Sequence, residues 1–348
     1  MSRELDFSVI IPCRNEVRYL ADFLRDLTMQ EGLDDLNWEI LIADGMSEDG
    51  SRELLEDIAA RESKIRIIEN SGKIVPTGLN EAIELARGEM IIRLDVHSRY
   101  ASDYLRTCLD VFEETGADNV GGAYRACAEG SMQRAIAAAF ASRFAVGGAS
   151  SHFADYEGWV DTVFLGCWKR SKLIELGMFD ENLVRNQDDE LNIRLIRSGG
   201  RIWQSRAIRV DYFPRNSFRG VFRQYYQYGY YKVAVIRKHR IPTSARHLAP
   251  GMLAAGLILP LPLLPFVDGL WMFWALLAGT YLSFLLVGAL KIASSAGWDL
   301  LPRLPAVLAC FHLGYGTGFL QGLLAQVSKG FSPGKRARRA RRPEEPQE

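Results

Sequence analysis

The sequence predicts an α/β domain on a mostly parallel, Rossmann-like sheet, followed by hydrophobic C-terminal membrane helices. Two features predict this. Between Phe7 and Glu114, short apolar runs rich in β-branched residues alternate with segments of helical period. That is the pattern of strands buried on both faces and joined by covering helices. From about residue 248 onward, the chain then runs almost uncharged through three long stretches.

The elements follow in order. Phe7-Ser-Val-Ile-Ile-Pro12 is the first strand, and Tyr19 to Gln30 a helix whose Leu20, Phe23, Leu24 and Leu27 fall on one face. Trp38 to Ala43 is the second strand, and Ser51 to Ala60 the second helix, with Leu54, Leu55 and Ile58 inward. Ile65 to Ile68 and Met90 to Leu94 are further strands; helices cover Gly78 to Ala86 and Tyr104 to Glu114. Ligands of such sheets bind beyond the carboxyl ends of the strands. Polar residues gather there: Pro12, Arg14, Asn15 and Glu16 after the first strand, Asp44, Gly45, Ser47 and Asp49 after the second, Asp95 and His97 after the fourth.

Composition excludes several classes. The 348 residues suggest about two domains, and 42 basic against 42 acidic residues rule out a general polyanion or nucleic-acid binder. Charged residues at 24% with 11% aromatics rule out a disordered chain. Five scattered cysteines without a CxxC spacing argue against disulfides and zinc, and read as buried reduced thiols. No GxGxxG follows the first strand and no GxxxxGK[ST] occurs, which excludes the usual dinucleotide turn and the P-loop. A diphosphate would then be neutralised by a divalent metal.

The runs 248–267, 269–290 and 306–327 are each long enough to cross a bilayer as a helix, although Pro250, Pro260, Pro262 and Pro265 break up the first. With no signal peptide ahead of Phe7, the first domain is expected in the cytosol. Arg237, Lys238, Arg240 and Arg246 before the first run, and Asp268 alone after it, agree. Three crossings would leave the basic tail around Lys335–Arg342 outside; a cytosolic tail, lying on anionic lipid, is the favoured alternative. The expected division is residues 1–235 catalytic, 236–328 juxtamembrane and transmembrane, and 329–348 a basic then acidic tail.

Three constellations carry chemistry. In extended backbone Asp95 and His97 point the same way and can share a metal, Mn²⁺ or Mg²⁺; a turn cap with a locally bonded imidazole is the plainer reading. Asn186-Gln-Asp-Asp-Glu190 opens a helix, where acids favour the dipole, but three in a row exceed a cap's need and raise one another's pKa, as suits a general base. Arg223-Gln-Tyr-Tyr-Gln-Tyr-Gly-Tyr-Tyr231 suits an interfacial helix or a wall of an acceptor site.

In this order, Val9-Ile-Ile-Pro-Cys-Arg-Asn-Glu16, Ile42-Ala-Asp-Gly-Met-Ser-Glu-Asp49, Arg93-Leu-Asp-Val-His97, Gly177-Met-Phe-Asp-Glu181 and Asn186-Gln-Asp-Asp-Glu-Leu191 resemble the inverting family 2 glycosyltransferases of GT-A fold. Val160-Asp-Thr162 and the Arg-Gln-Tyr-Tyr-Gln-Tyr-Gly run resemble the membrane-bound succinoglycan-type branch. The resemblance implies that Asp44 touches uridine, Pro12, Asn15 and Glu16 line the nucleotide crevice, and Lys73 contacts the nucleotide. It further implies that Asp95 and His97 replace the usual DxD metal ligands and that Asp188 is the catalytic base, with Gln187 where the family usually has Glu. Gln224, Gln227 and Tyr228 are candidates for the acceptor side or the membrane interface. Gln224-Tyr-Tyr-Gln-Tyr228 lacks the Arg and Trp of the processive QxxRW sequence, implying one sugar per encounter.

The expectation is a metal-dependent, inverting hexosyltransferase at the inner membrane, acting on a UDP-sugar, UDP-glucose first, and a lipid-linked saccharide, with other polysaccharide-assembly proteins as further partners. A non-catalytic, nucleotide-sugar-binding scaffold is the alternative. A transporter fits poorly, because the apolar runs lack buried charge.

Overall fold

A computed structural model describes residues 5–147, 153–240 and 247–328. Its first half alternates as expected: β1 (Leu5–Cys13), α1 (Val17–Thr28), β2 (Trp38–Asp44), α2 (Ser51–Ala59), β3 (Ile65–Glu69), α3 (Val75–Leu85), β4 (Gly88–Arg93), β5 (Ser98–Tyr100) and α4 (Tyr104–Thr115). Next come β6 (Asn119–Gly122), β7 (Tyr124–Ala126), α5 (Gly130–Phe140), α6 (Arg143–Val146), β8 (Gly158–Val160), β9 (Phe164–Lys169), α7 (Arg170–Glu175), α8 (Gln187–Arg197), β10 (Ile202–Gln204) and β11 (Val210–Tyr212). The chain continues with α9 (Phe218–His239), α10 (Ala249–Ile258), α11 (Leu270–Ala296) and α12 (Leu304–Ser328).

Eight strands form the main sheet in the order β3-β2-β1-β4-β9-β6-β10-β8. β1 to β4 pair in parallel, and β9 enters antiparallel between β4 and β6. Alternate residues of β1 serve two helical layers. Phe7, Val9 and Ile11 join Leu20, Leu24 and Leu105 on one face, while Ile10 meets Leu79, Ile83, Leu173 and Leu191 on the other. Cys13 stands beside Asp44 in register, so the ends of β1 and β2 open on one edge. β5, β11 and β7 make a small second sheet. Cys13, Cys108 and Cys167 are buried as expected, whereas Cys127 and Cys310 are only partly buried.

The C-terminal region departs from the sequence reading. Among the described residues two helices, α11 with 27 residues and α12 with 25, are long and apolar enough to cross a membrane. The first apolar run ends as a helix after 10 residues and passes into a short 3-10 turn at Leu261–Leu263, too short to span as one helix. Pro260, Pro262 and Pro265 explain the break, since proline lacks a backbone donor and clashes with a preceding helical turn, whereas Pro250 sits in the first turn of α10, where it is tolerated. Trp271, Phe273 and Leu276 of α11 face outward, as lipid contact would require. Arg246 and the tail 329–348 lie outside the described residues.

These helices share a core with the soluble domain. Ile136 and Phe140 of α5, Val221 and Tyr225 of α9, Leu285 and Ile292 of α11, and Leu308 and Phe311 of α12 pack together. α9 runs on to His239 without a break, past the expected boundary at residue 235. It lies against α12 along Gly314, Gly318 and Gly322, where a Cβ would press on the main-chain oxygens of Phe222, Tyr226 and Tyr230. Gly318→Ala should therefore cost about 1–3 kcal/mol of stability. Gly279→Ala on α11, with open space around the added carbon, should cost nothing measurable; thermal denaturation in detergent compares the two.

Candidate active site

Two loops at the sheet edge are knitted by side chains. Asn15 takes a left-handed conformation, φ 57°, its N–H donating to Ser47 Oγ at 2.9 Å while its Oδ1 accepts from Glu48 N at 2.9 Å. Glu16 N donates to Ser51 Oγ at 2.7 Å, and Asp49 accepts from Val17 N at 3.1 Å. Asp44 is fully buried at the end of β2, accepting from Ser47 N at 3.2 Å, with Arg52 at 3.6 Å. Lys73 is exposed and left-handed, φ 60°, and its carbonyl accepts from Arg14 at 3.1 Å. Pro12 lies beside Ala43 in register. The structure thus brings these residues to one edge.

The residues after β4 are not extended. Ser98 N donates to Asp95 O at 3.2 Å, closing a turn over Asp95–Ser98, so the side-by-side geometry expected for Asp95 and His97 does not hold. The turn carries His97 toward α1 instead. Its Nε2 lies 2.8 Å from Glu16 Oε1, and its ring meets Tyr19 edge-on at 5.3 Å. Among the described residues, no three His, Cys, Asp or Glu side chains converge to enclose a metal. Asp95 and His97, with a third and a half of their side chains exposed, are still donors of the kind that suit a divalent cation completed by ligand oxygens.

Arg93 joins the donor edge to the helix that carries the acids, and the sequence reading gave it no role. It ends β4 and is only 4% exposed. Nη1 donates to Asp188 Oδ1, and Nη2 donates to Asp95 Oδ1 at 3.2 Å. Its guanidinium carbon lies 5.9 Å from the Phe179 ring centre. Burial works against its charge and the two aspartates outweigh that, raising its pKa. An arginine inside an apolar strand was the available signal, because a buried cation requires nearby anions.

The acids of α8 diverge. Asp188 faces Arg93; Asp189 accepts from Lys232 Nζ at 2.7 Å; Glu190 is buried and meets Arg194 at 2.7 Å, Lys238 at 2.8 Å and His239 at 3.0 Å. Burial raises the Asp188 pKa most, Arg93 lowers it, and Asp95 and Asp189 add to the rise. Desolvation, rather than crowding of like charge, leads this shift. Glu190 is lowered against its burial by Arg194 and Lys238. Arg185 reaches Gln227 at 3.3 Å, Asn186 donates to the Tyr228 carbonyl at 2.9 Å, and Gln224 donates to the Tyr228 hydroxyl at 3.0 Å. Gln227 and Tyr228 therefore adjoin the residues just before α8, while Gln224 bonds the hydroxyls of Tyr212 and Tyr228.

Comparison with known proteins gives a consistent picture. Residues 8–162 match the model for Glycosyl transferase family 2. The succinoglycan biosynthesis protein ExoA of Rhizobium meliloti is 30% identical over 244 residues, 70% of this chain and 73% of that protein. A dolichyl N-acetyl-α-D-glucosaminyl phosphate 3-β-D-2,3-diacetamido-2,3-dideoxy-β-D-glucuronosyltransferase of Methanococcus voltae is 27% identical over 91% of this chain and 97% of its own. Among solved structures, the mannosyltransferase PcManGT of Pyrobaculum calidifontis, in complex with GDP-Man and Mn²⁺, matches with a TM-score of 0.58 at 16% identity, covering 95% of this chain and 89% of that one.

Replacing Arg93 by Gln leaves Asp95 and Asp188 without their shared cation. Both reach solvent in part, so the expected loss is about 1–3 kcal/mol, read as an earlier unfolding transition in detergent. Arg93→Lys should lose less.

Proposed function

This chain belongs to glycosyl transferase family 2, and we propose that it transfers a hexose, glucose first, from a UDP-sugar to a lipid-linked saccharide during exopolysaccharide synthesis. The observation that carries this reading is the pair Asp95 and Asp188, held on one buried Arg93 at the sheet edge. Likeness to ExoA, a succinoglycan biosynthesis protein, supports the exopolysaccharide context. The GDP-Man in the Pyrobaculum mannosyltransferase supports a nucleotide-sugar donor.

In this reading Asp44 accepts from the uridine, while Pro12, Asn15, Glu16 and Lys73 line the nucleotide crevice. Asp95 and His97 would hold a divalent cation, which would supply positive charge to offset that of the departing diphosphate. Asp188 takes the proton from the acceptor hydroxyl as that oxygen attacks the anomeric carbon from the face opposite the leaving group. A single displacement inverts the anomeric centre. Gln224, Gln227 and Tyr228 stand on the acceptor side, and the lack of QxxRW fits one sugar per encounter. α11 and α12 anchor the chain in the membrane, with the catalytic domain on the cytosolic side as loop charge favours.

The decisive measurement is UDP binding to detergent-solubilised protein with and without Mn²⁺. Binding should need the metal and be lost in Asp95→Ala; absence of UDP binding in a folded wild type would remove the UDP-sugar donor. Asp188→Asn should keep UDP binding and abolish transfer.

The pH profile follows from the raised Asp188 pKa. A base works deprotonated, so turnover is full above its pKa and falls as pH drops through it. The acid limb of kcat should therefore lie above the ordinary aspartate range; a limb at or below that range would contradict the assignment.

A further inference from the structure

α12 has the length and apolarity of a membrane crossing, yet its neighbours are those of a helix held on one side. It runs beside α9: Gly314 packs on Phe222, Gly318 on Tyr226 and Gly322 on Tyr230, and Arg237 donates to Gln326. α9 is tied in turn, along the same stretch, to the sheet domain. Gln224 donates to the Tyr212 hydroxyl at 3.3 Å, Gln227 accepts from Arg185 at 3.3 Å, Lys232 pairs with Asp189 at 2.7 Å, and Lys238 pairs with Asp180 and Glu190. α8, which carries Asp189 and Glu190, is rooted in the sheet core through Leu191. An upright α12 would draw α9, these charges and the start of α8 into hydrocarbon, where ionised groups are costly. The other end of α12 is held as well. Arg134 of α5 donates to Asp299 at 2.9 Å just ahead of it, and Leu304 and Leu308 join Ile136 and Phe140 in one core.

The hairpin of α10 and α11 is what remains bare. Trp274 Nε1 donates to the Leu257 carbonyl at 2.9 Å and Gly256 adjoins Leu277, so the two helices pair. Their feet stand on α12, Gly251 against Phe319 and Gly288 against Leu308. Between the feet, Leu259, Phe266, Trp271, Phe273 and Leu276 are each at least 60% exposed. Only 17% of the apolar stretch of α11 is buried, against 44% of that of α12. A large exposed apolar surface of this kind marks contact with lipid.

We propose that α12 does not cross the membrane. It lies along the bilayer face on the catalytic side, and the α10–α11 hairpin alone inserts, entering and leaving by that face. The basic residues within 335–342 then stay on the catalytic side, as the positive-inside rule asks. This inference rests on the membrane-anchored reading above and gives the anchor its path.

Single cysteines in the full chain report that path, in sealed vesicles of both orientations, as labelling by a membrane-impermeant maleimide above that of the parent chain. Met29→Cys, 68% exposed on the catalytic domain, marks its side. Ser295→Cys stands at the end of α11, ahead of α12, and a cysteine added after Glu348 stands beyond α12. All three should label from one face and lose that labelling in vesicles of the other orientation. Ser295→Cys and the added cysteine labelling from opposite faces would mean that α12 crosses, and would overturn the proposal. So would both labelling from the face opposite Met29→Cys, or Ser295→Cys reacting only once detergent is added, which would put the start of α12 inside the bilayer. Alkaline carbonate extraction separates this inference from the one it rests on. A chain that stays with the membrane but labels from opposite faces loses only the proposed path of α12. A chain released by carbonate has no inserted hairpin, and the membrane anchor falls with it.

Discussion

Arg93 is the interaction on which the site depends. A guanidinium at the end of a central strand cannot be left unpaired, because an isolated buried charge is far more costly than its paired form. Its two outer nitrogens therefore require two carboxylates, and these come from different parts of the chain, Asp95 from the turn after β4 and Asp188 from the first turn of α8. Satisfying one arginine thus sets the distance between the sheet edge and α8. Phe179, whose ring lies beside the guanidinium, and Asn80, which bonds the Phe179 main chain on both sides, fix the loop between them. Asp188, the proposed base, is thereby oriented by the protein itself.

The second constraint comes from α9. Its close approach to α12 is possible because Gly314, Gly318 and Gly322 present no side chain, a device that suits helices packed without a hydrophobic driving force between them. On its other flank the same helix gives α8 a lysine, a histidine and a carbonyl. Lys238, read in the sequence as a loop charge that orients the membrane region, is instead drawn into ion pairs with Asp180 and Glu190. A soluble domain and a membrane region cut apart at residue 235 would divide this beam.

How far the sequence could be read follows from these contacts. From β1 to α4 the strands are buried on both faces and the helices carry one apolar face, so periodicity alone locates them. Between Asn119 and Lys169 it fails, because β6, β7 and β8 have only three or four residues and β9 joins the sheet antiparallel, out of the βαβ rhythm. The Asp95–His97 pair was legible as a candidate, but its geometry was not. Spacing assumes a backbone conformation, and the Asp95–Ser98 turn replaced the extended one. The acidic triplet was legible as a candidate, whereas its division among Arg93, Lys232 and the Arg194–Lys238–His239 group depends on partners 4 to 95 residues away in sequence. Apart from the i,i+4 pair of Glu190 with Arg194, no local pattern records that.

The two sides of the proposed reaction draw on different supports. Donor-side residues Pro12, Asn15, Glu16, Asp44 and Lys73 belong to β1, β2 and the loops that follow β1 and β3, which rest on the core of the sheet domain. Acceptor-side residues Gln224, Gln227 and Tyr228 belong to α9, which rests on α12. A water-soluble nucleotide sugar and a membrane-held saccharide would then approach from opposite flanks, each recognised by the part of the fold that shares its phase. α8 stands between them, tied by Arg93 to one flank and by Lys232 to the other. The proposed base, Asp188, thus sits on a helix held from both sides, with neither substrate having to carry it into place.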